Sequence, residues 1–311
     1  MPSSQSVVIV LICMVCMTLS GGDRGAAQVP QQLRNGNELE LRLKPLAGKL
    51  DKPRPGEWRY EHPEERHQSF DDYVQQQPVR KSHQLSTIYI CLLGDFNREQ
   101  QKIIDANREY LEVFFQTPVK IAQRVSLDKI PTRAQRKNPH EGHLQVLSTY
   151  VLDELLKPQR PKDALAYVAF SSADLWTRYE GRDWNFVFGQ AQIRERVGVW
   201  SIARFPDPAA DQESYQRCLK LTLATASHET SHILTMPHCS EFACSLNGCN
   251  HLLESESKPL HVCPSCFRKL CWNLRLEPVS YCRKLGKYCE QHDFKEEASY
   301  YRRAITALER E

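Results

Sequence analysis

Four residues between positions 228 and 238 combine the groups needed to activate water: His228, Glu229, His232 and His238. A reactive zinc takes nitrogen ligands in a tetrahedron and leaves one position open. On a helix, a four-residue spacing puts His228 and His232 on one face, one turn apart. Glu229 follows the first ligand, where its carboxylate can take a proton from water as a general base. Two imidazoles leave a zinc under-ligated. His238 comes six residues after His232, so the chain must turn sharply past the helix to return it as a third ligand.

Cysteines follow at once. Cys239-x4-Cys244 and Cys263-x2-Cys266 form two knuckle-like pairs, and four thiolates so spaced suit a closed, structural zinc. Cys244-x4-Cys249 offers the same gap, and His251 and His261 lie nearby. Spacing alone does not choose among them.

The outline H-E-x-x-H-x5-H is that of the metzincins. The longer run HETSHILTMPHC-x4-C-SLNG, followed by CPSCFRKL, resembles the archaemetzincins, a metzincin-like family of zinc peptidases. Their pattern is H-E-x-x-H-x-x-G-x-x-H-C-x4-C-x-M, then C-x-x-C. The resemblance implies that His228, His232 and His238 bind a catalytic zinc with Glu229 as base. It also implies that Cys239, Cys244, Cys263 and Cys266 hold a second, structural zinc. The implied activity is hydrolysis of peptide bonds in a peptide or protein substrate, aminopeptidase-like in its cleavage.

Two positions depart from the pattern. The family glycine is Thr235, where a tight turn often needs φ > 0 and a β-branched residue resists it. Met236-Pro237 offers another route for that turn. The family methionine, packed beneath the metal, is Leu246, of similar volume. Thr235 keeps a second expectation open: a catalytically weak or inactive zinc-stabilised module that binds peptide or protein.

The elements that must position these groups read as a mixed α/β domain with the zinc helix as the floor of a cleft beneath the sheet. STIYICLLGDF is a buried strand, and Asn97 caps the helix NREQQKIIDANREYLEVFF, with Ile103, Ile104, Leu111, Phe114 and Phe115 inward. Pro118 to Ile121 begins a second strand. GHLQVLSTYVLDELL reads as a helix whose solvated start holds His140, Glu141 and His143. DALAYVAFSSADLW is apolar enough for a central strand. WNFVFGQAQIRERVGVWSIARF reads as two short strands around a polar turn. Metzincin-like folds use such an edge to receive an extended peptide, and archaemetzincins carry a similar N-F-V-F-G run. Trp184 and Phe186 are expected to be core, and so is Tyr281, although a tyrosine close after the metal module could also stabilise an oxyanion. Asp211 to Leu234 is the long zinc helix, and 290–309 a closing helix.

The chain's formal charge of +3 in 311 residues is too balanced to point to nucleic acid. Its 41% hydrophobic and 25% charged residues are those of a soluble globular protein. The apolar run at 7–19 is shorter than the about 20 residues of a bilayer span. With small residues after it, 1–27 reads as a signal peptide cleaved after Ser20 or Ala27, although no Lys or Arg precedes the run. The mature chain is then expected to be secreted and without an integral membrane span. A four-thiolate site is easier to load in a reducing compartment, and the resemblance implies an intracellular protein, so the two indications pull apart. Removal of Cys13 and Cys16 leaves Cys91, Cys218, Cys249, Cys271, Cys282 and Cys289 beyond the metal quartet, an even number able to pair.

Residues 28–84 form an extended, partly ordered arm, rich in Gln, Pro, Arg and Glu. Within it EHPEERHQSFDDYV resembles the archaemetzincin segment before the catalytic domain, and Phe70 and Tyr73 are placed to pack onto that domain; a plain linker is the competing reading. The peptidase-like domain runs from 85 to 311 and includes the cysteine module at 239–271.

Overall fold

The computed structural model describes residues 36–179 and 181–310. The apolar run at 7–19 and the expected processing site lie outside them. None of the described helices is long and apolar enough to cross a membrane.

The centre is a five-stranded sheet: β1 (Thr87–Leu93), β2 (Val119–Val125), β5 (Ala164–Ser171), β9 (Gly189–Gln192) and β10 (Val197–Ser201), in the order β2-β1-β5-β10-β9. All pairings are parallel except β9 on β10. All eight residues of β5 are buried, as its apolar run requires of a strand covered on both faces. Helix α4 (Arg98–Phe115) starts at a capping box between Asn97 and Gln100. It buries Ile103, Ile104, Leu111, Phe114 and Phe115 completely. Helix α6 (Gln212–Ile233) starts at Asp211, which accepts from the Ser214 N–H, and packs against α4, β9 and β10.

One sequence expectation fails, and the closing helix starts later than expected. Leu144–Leu147 is not helical but strand β4, between β3 (Gln135–Lys137) and β6 (Asp174–Trp176). Tertiary pairing explains this. Gln145 is fully buried and donates to Asp174 Oδ2 at 2.6 Å, and both edges of the segment pair with neighbouring strands. Helix begins only at Ser148 and runs to Leu156, its last six residues π-helical. His140, Glu141 and His143 therefore lie in the turn before a strand, where His143 pairs with Asp174 at 2.8 Å. The closing helix is the second half of a hairpin, α9 (Pro278–Gln291) and α10 (Lys295–Glu309). They are separated at Asp293, which takes φ 59°, and Gly286 lets them approach, since a Cβ there would lie 3.3 Å from Tyr301 Cβ.

The described part of the arm packs on the domain. It carries α1 (Gly36–Leu43), α2 (Trp58–Glu61) and α3 (Phe70–Gln75), the last started by a Ser69–Asp72 capping box. Leu43, Trp58 and Tyr73 are at most 2% exposed. The Tyr73 hydroxyl donates to the Leu234 carbonyl at 2.8 Å and accepts from Asn273 Nδ2. All ten described cysteines are buried free thiols, so the six outside the quartet are not paired. Tyr281 stacks on Phe267 at 5.1 Å and belongs to the core.

Tyr73→Phe should leave the Leu234 carbonyl without this donor and one of the two Asn273 amide N–H groups without an acceptor, at a cost of about 1–3 kcal/mol. Thermal unfolding should show a fall of about 2–4 °C per kcal/mol. An unchanged midpoint would mean that the arm does not brace the end of α6.

Candidate active site and metal centres

Helix α6 carries His228, Glu229 and His232 in its buried last turns. The two imidazoles are one turn apart, with Nε2 atoms 2.9 Å from each other. The His238 ring centroid lies 5.3 Å from that of His228 and 5.0 Å from that of His232. One nitrogen of each ring falls within 4.8 Å of the other two.

Hydrogen bonds set the tautomers. His228 Nδ1 faces the Ser245 carbonyl at 2.9 Å, and His232 Nδ1 faces the Met236 carbonyl at 2.7 Å. His238 Nδ1 faces both carboxylate oxygens of Glu65, at 3.0 and 3.2 Å. Carbonyls and carboxylates only accept, so each Nδ1 must carry the proton. Burial pushes His228 well below the ordinary imidazole value and His232 down to about 3, which keeps both rings neutral at pH 7. The Nε2 atoms of His228 and His232 therefore present lone pairs. These oppose each other at hydrogen-bond distance with no proton between them, and His238 Nε2 is buried without a partner. Three converging imidazole nitrogens could hold a cation, and this donor set fits zinc.

The return of His238 depends on the end of α6. Thr235 takes φ 69°, so the chain keeps the left-handed turn and does not use Met236-Pro237 to avoid it. A left-handed non-glycine residue costs about 1–2 kcal/mol. The arm supplies compensating bonds: Val79 N–H donates to Thr235 Oγ1 at 3.3 Å and Gln68 Nε2 to the Thr235 carbonyl at 3.2 Å. The first of these is available only to a residue with a side-chain oxygen. Leu246 is fully buried in the core.

Glu229 is fully buried, and neither carboxylate oxygen has a partner. Burial pushes its carboxyl well above the usual range, with the Lys258 charge opposing. It lies against Gly189 at the start of β9, where an added Cβ would sit 2.6–2.8 Å from its carboxylate atoms. The three imidazoles are 1–4% exposed, so the site is closed.

The sulfurs of Cys239, Cys244, Cys263 and Cys266 also lie within 4.8 Å of one another. Cys239 and Cys263 sulfurs are 3.6 Å apart. Backbone N–H groups of Leu246 and Cys263 point at the Cys244 sulfur, at 3.5 and 3.2 Å. Hydrogen bonds from Cys244, Cys263 and Cys266 pull the Cys239 thiol down, burial pushes Cys244 up, and its sulfur neighbours push Cys266 up. Four sulfurs gathered in so small a volume could hold a cation, and the set fits a closed zinc site. The spacing ambiguity is removed by placement. Cys249 faces Lys258 Nζ at 3.5 Å, His251 caps α7 (Leu252–Ser257), and His261 pairs with Glu297 at 2.7 Å.

Residues 93–271, which include both clusters, match the model of Peptidase family M54. The chain is 31% identical over 270 residues to Archaemetzincin-2 of Mus musculus, covering 77% of this chain and 74% of that protein. The chain belongs to peptidase family M54, the archaemetzincins. That membership makes it a zinc metallopeptidase. It is 28% identical over 270 residues to Archaemetzincin-2 of Homo sapiens, covering 75% of this chain and 72% of that protein. The solved archaemetzincin of Methanopyrus kandleri is similar in fold, with a TM-score of 0.50 and 25% identity over 63% of this chain and 99% of that one.

In this M54 chain, motif reasoning missed Glu65, Trp58, Ser245 and Gly189. Glu65 sits inside EHPEERHQSFDDYV and Gly189 closes N-F-V-F-G, the two runs that resemble the family outside the histidine motif. Those runs were the available signal.

Thr235→Gly should change stability by no more than about 1 kcal/mol, because relief of the left-handed strain offsets the lost Oγ1 bond and the added chain entropy. Thr235→Ala, which keeps the strain and loses the bond, should be the less stable of the two in denaturant unfolding. The reverse order would refute this account of the turn.

Proposed function

We propose that the chain hydrolyses peptide bonds at a catalytic zinc held by His228, His232 and His238, with Glu229 as general base. A structural zinc in the Cys239, Cys244, Cys263 and Cys266 cluster completes the reading, giving two per chain. The observation that carries it is the convergence of three imidazole Nε2 atoms, each ring fixed by an acceptor on its other nitrogen. When bound, zinc supplies a Lewis acid that polarises the scissile carbonyl and lowers the pKa of water towards about 7.

Glu229 takes the proton from the attacking water and delivers it to the leaving amine. Its burial supports this role, since a carboxylate short of solvation is a stronger base. Gly189 supplies the clearance for that carboxylate. Strand β9 is the sheet edge, and its register puts the backbone groups of Gly189 and Ala191 on the side away from β10. A substrate peptide pairing there would pass beside Glu229.

The competing reading, a zinc-stabilised binding module with little turnover, draws on the closure of the site. Glu229→Gln separates the two. Hydrolysis should fall by about 10²–10⁴-fold with both zincs retained; a variant as active as the parent would remove Glu229 from the mechanism. Gly189→Ala should displace the carboxylate and lower turnover by roughly 10²-fold at unchanged zinc content. Metal analysis of His228→Ala and Cys263→Ser should show one zinc lost from each, from a different site. Loss of neither would reject the metal assignments.

A further inference from the structure

We infer that Glu65, on the N-terminal arm, is a positioning residue that aims His238 at the metal. The inference rests on the histidine site proposed above. The other two imidazoles are oriented from inside the segment 93–271, by the carbonyls of Met236 and Ser245. His238 is oriented from outside it. Its Nδ1 faces both oxygens of Glu65, a residue 173 positions earlier in the chain.

Glu65 is itself held in place. The Trp58 indole N–H donates to Glu65 Oε2 at 2.6 Å, and the Trp58 backbone N–H donates to Glu254 Oε1 at 2.9 Å. The indole stands edge-on to His238, with centroids 4.5 Å apart, and stacks on His62 at 4.0 Å. Gly248 makes room for it, because a Cβ there would lie 2.3 Å from the ring. The result is a relay from α7 through Trp58 and Glu65 to the third imidazole.

The need for such a relay follows from where His238 lies. His228 and His232 ride on one rigid helix, whereas His238 follows a left-handed turn and belongs to no helix or strand. Its ring needs an external partner to select the tautomer with a free Nε2 and to hold its direction. A carboxylate also makes that nitrogen more basic towards a metal. Docking of the arm is thereby coupled to the affinity of the site.

Chelator competition on the zinc-loaded full chain tests this, with the cysteine-site zinc as internal reference. Glu65→Ala should weaken the histidine-site zinc by about 10–100-fold and leave the cysteine site unchanged. Glu65→Gln, which keeps an acceptor without the charge, should fall between parent and Ala. Trp58→Phe should shift affinity in the same direction by less. In the metal-free chain, imidazole ¹⁵N resonances should show His238 as the Nδ1-protonated tautomer, and Glu65→Ala should make it a mixture. Parental affinity and an unmixed tautomer in both Glu65 variants would overturn the inference. If Glu65→Ala does not fold, Glu65→Gln decides by the same criterion. A parent chain that binds no zinc at its imidazoles would instead reject the underlying site.

Discussion

The structure depends on keeping three imidazole Nε2 atoms turned towards one point in a buried interior. Left alone, imidazoles at this distance would rotate or share a proton. They do not, because each Nδ1 proton is committed to an oxygen: the Ser245 carbonyl, the Met236 carbonyl, and the Glu65 carboxylate. Those oxygens come from the knuckle of the cysteine module, the turn after α6, and the arm. The site is thus a junction of three chain segments, and α6 supplies only part of it.

The turn after α6 shows how local strain is absorbed. A left-handed threonine is unfavourable by itself, yet the carbonyl that holds His232 lies one residue beyond it. The arm packs against this corner through Gln68, Tyr73 and Val79, each bonded to Leu234 or Thr235. The side-chain oxygen at 235 contributes an acceptor that glycine lacks. Strain of this kind persists where surrounding contacts over-determine the backbone.

The two metal clusters are mechanically joined. His238 and Cys239 are adjacent, and Ser245, which orients His228, follows Cys244. The Cys239 N–H donates to the Leu246 carbonyl, and the Ser245 N–H to that of His261. A cation among the four sulfurs would therefore stiffen the loop that aims His228. This gives the cysteine cluster beside the histidines a physical purpose: the first shapes backbone that the second uses.

Much of the chemistry was legible in the chain. The H-E-x-x-H spacing, the sixth-residue return of His238 and the two cysteine pairs are short-range patterns, so helix pitch and loop length largely determine where those groups go. The buried strands at 87–93 and 164–171 and the long helix were equally plain from apolar runs and caps. Tertiary structure decided the rest. Leu144–Leu147 became a strand because β3 and β6 lie beside it, which no local period announces. Cys244 rather than Cys249 joined the quartet because of where the loop placed its sulfur, since both gaps fit. Glu65 and Gly189 act on the site across 173 and 40 positions of sequence, through contacts created only when arm, sheet and α6 come together. Residue types and spacings within one turn or loop fix which groups can bind a metal. The protons, clearances and partners that make them do so come from segments distant in the chain, and only the packed fold brings those within reach.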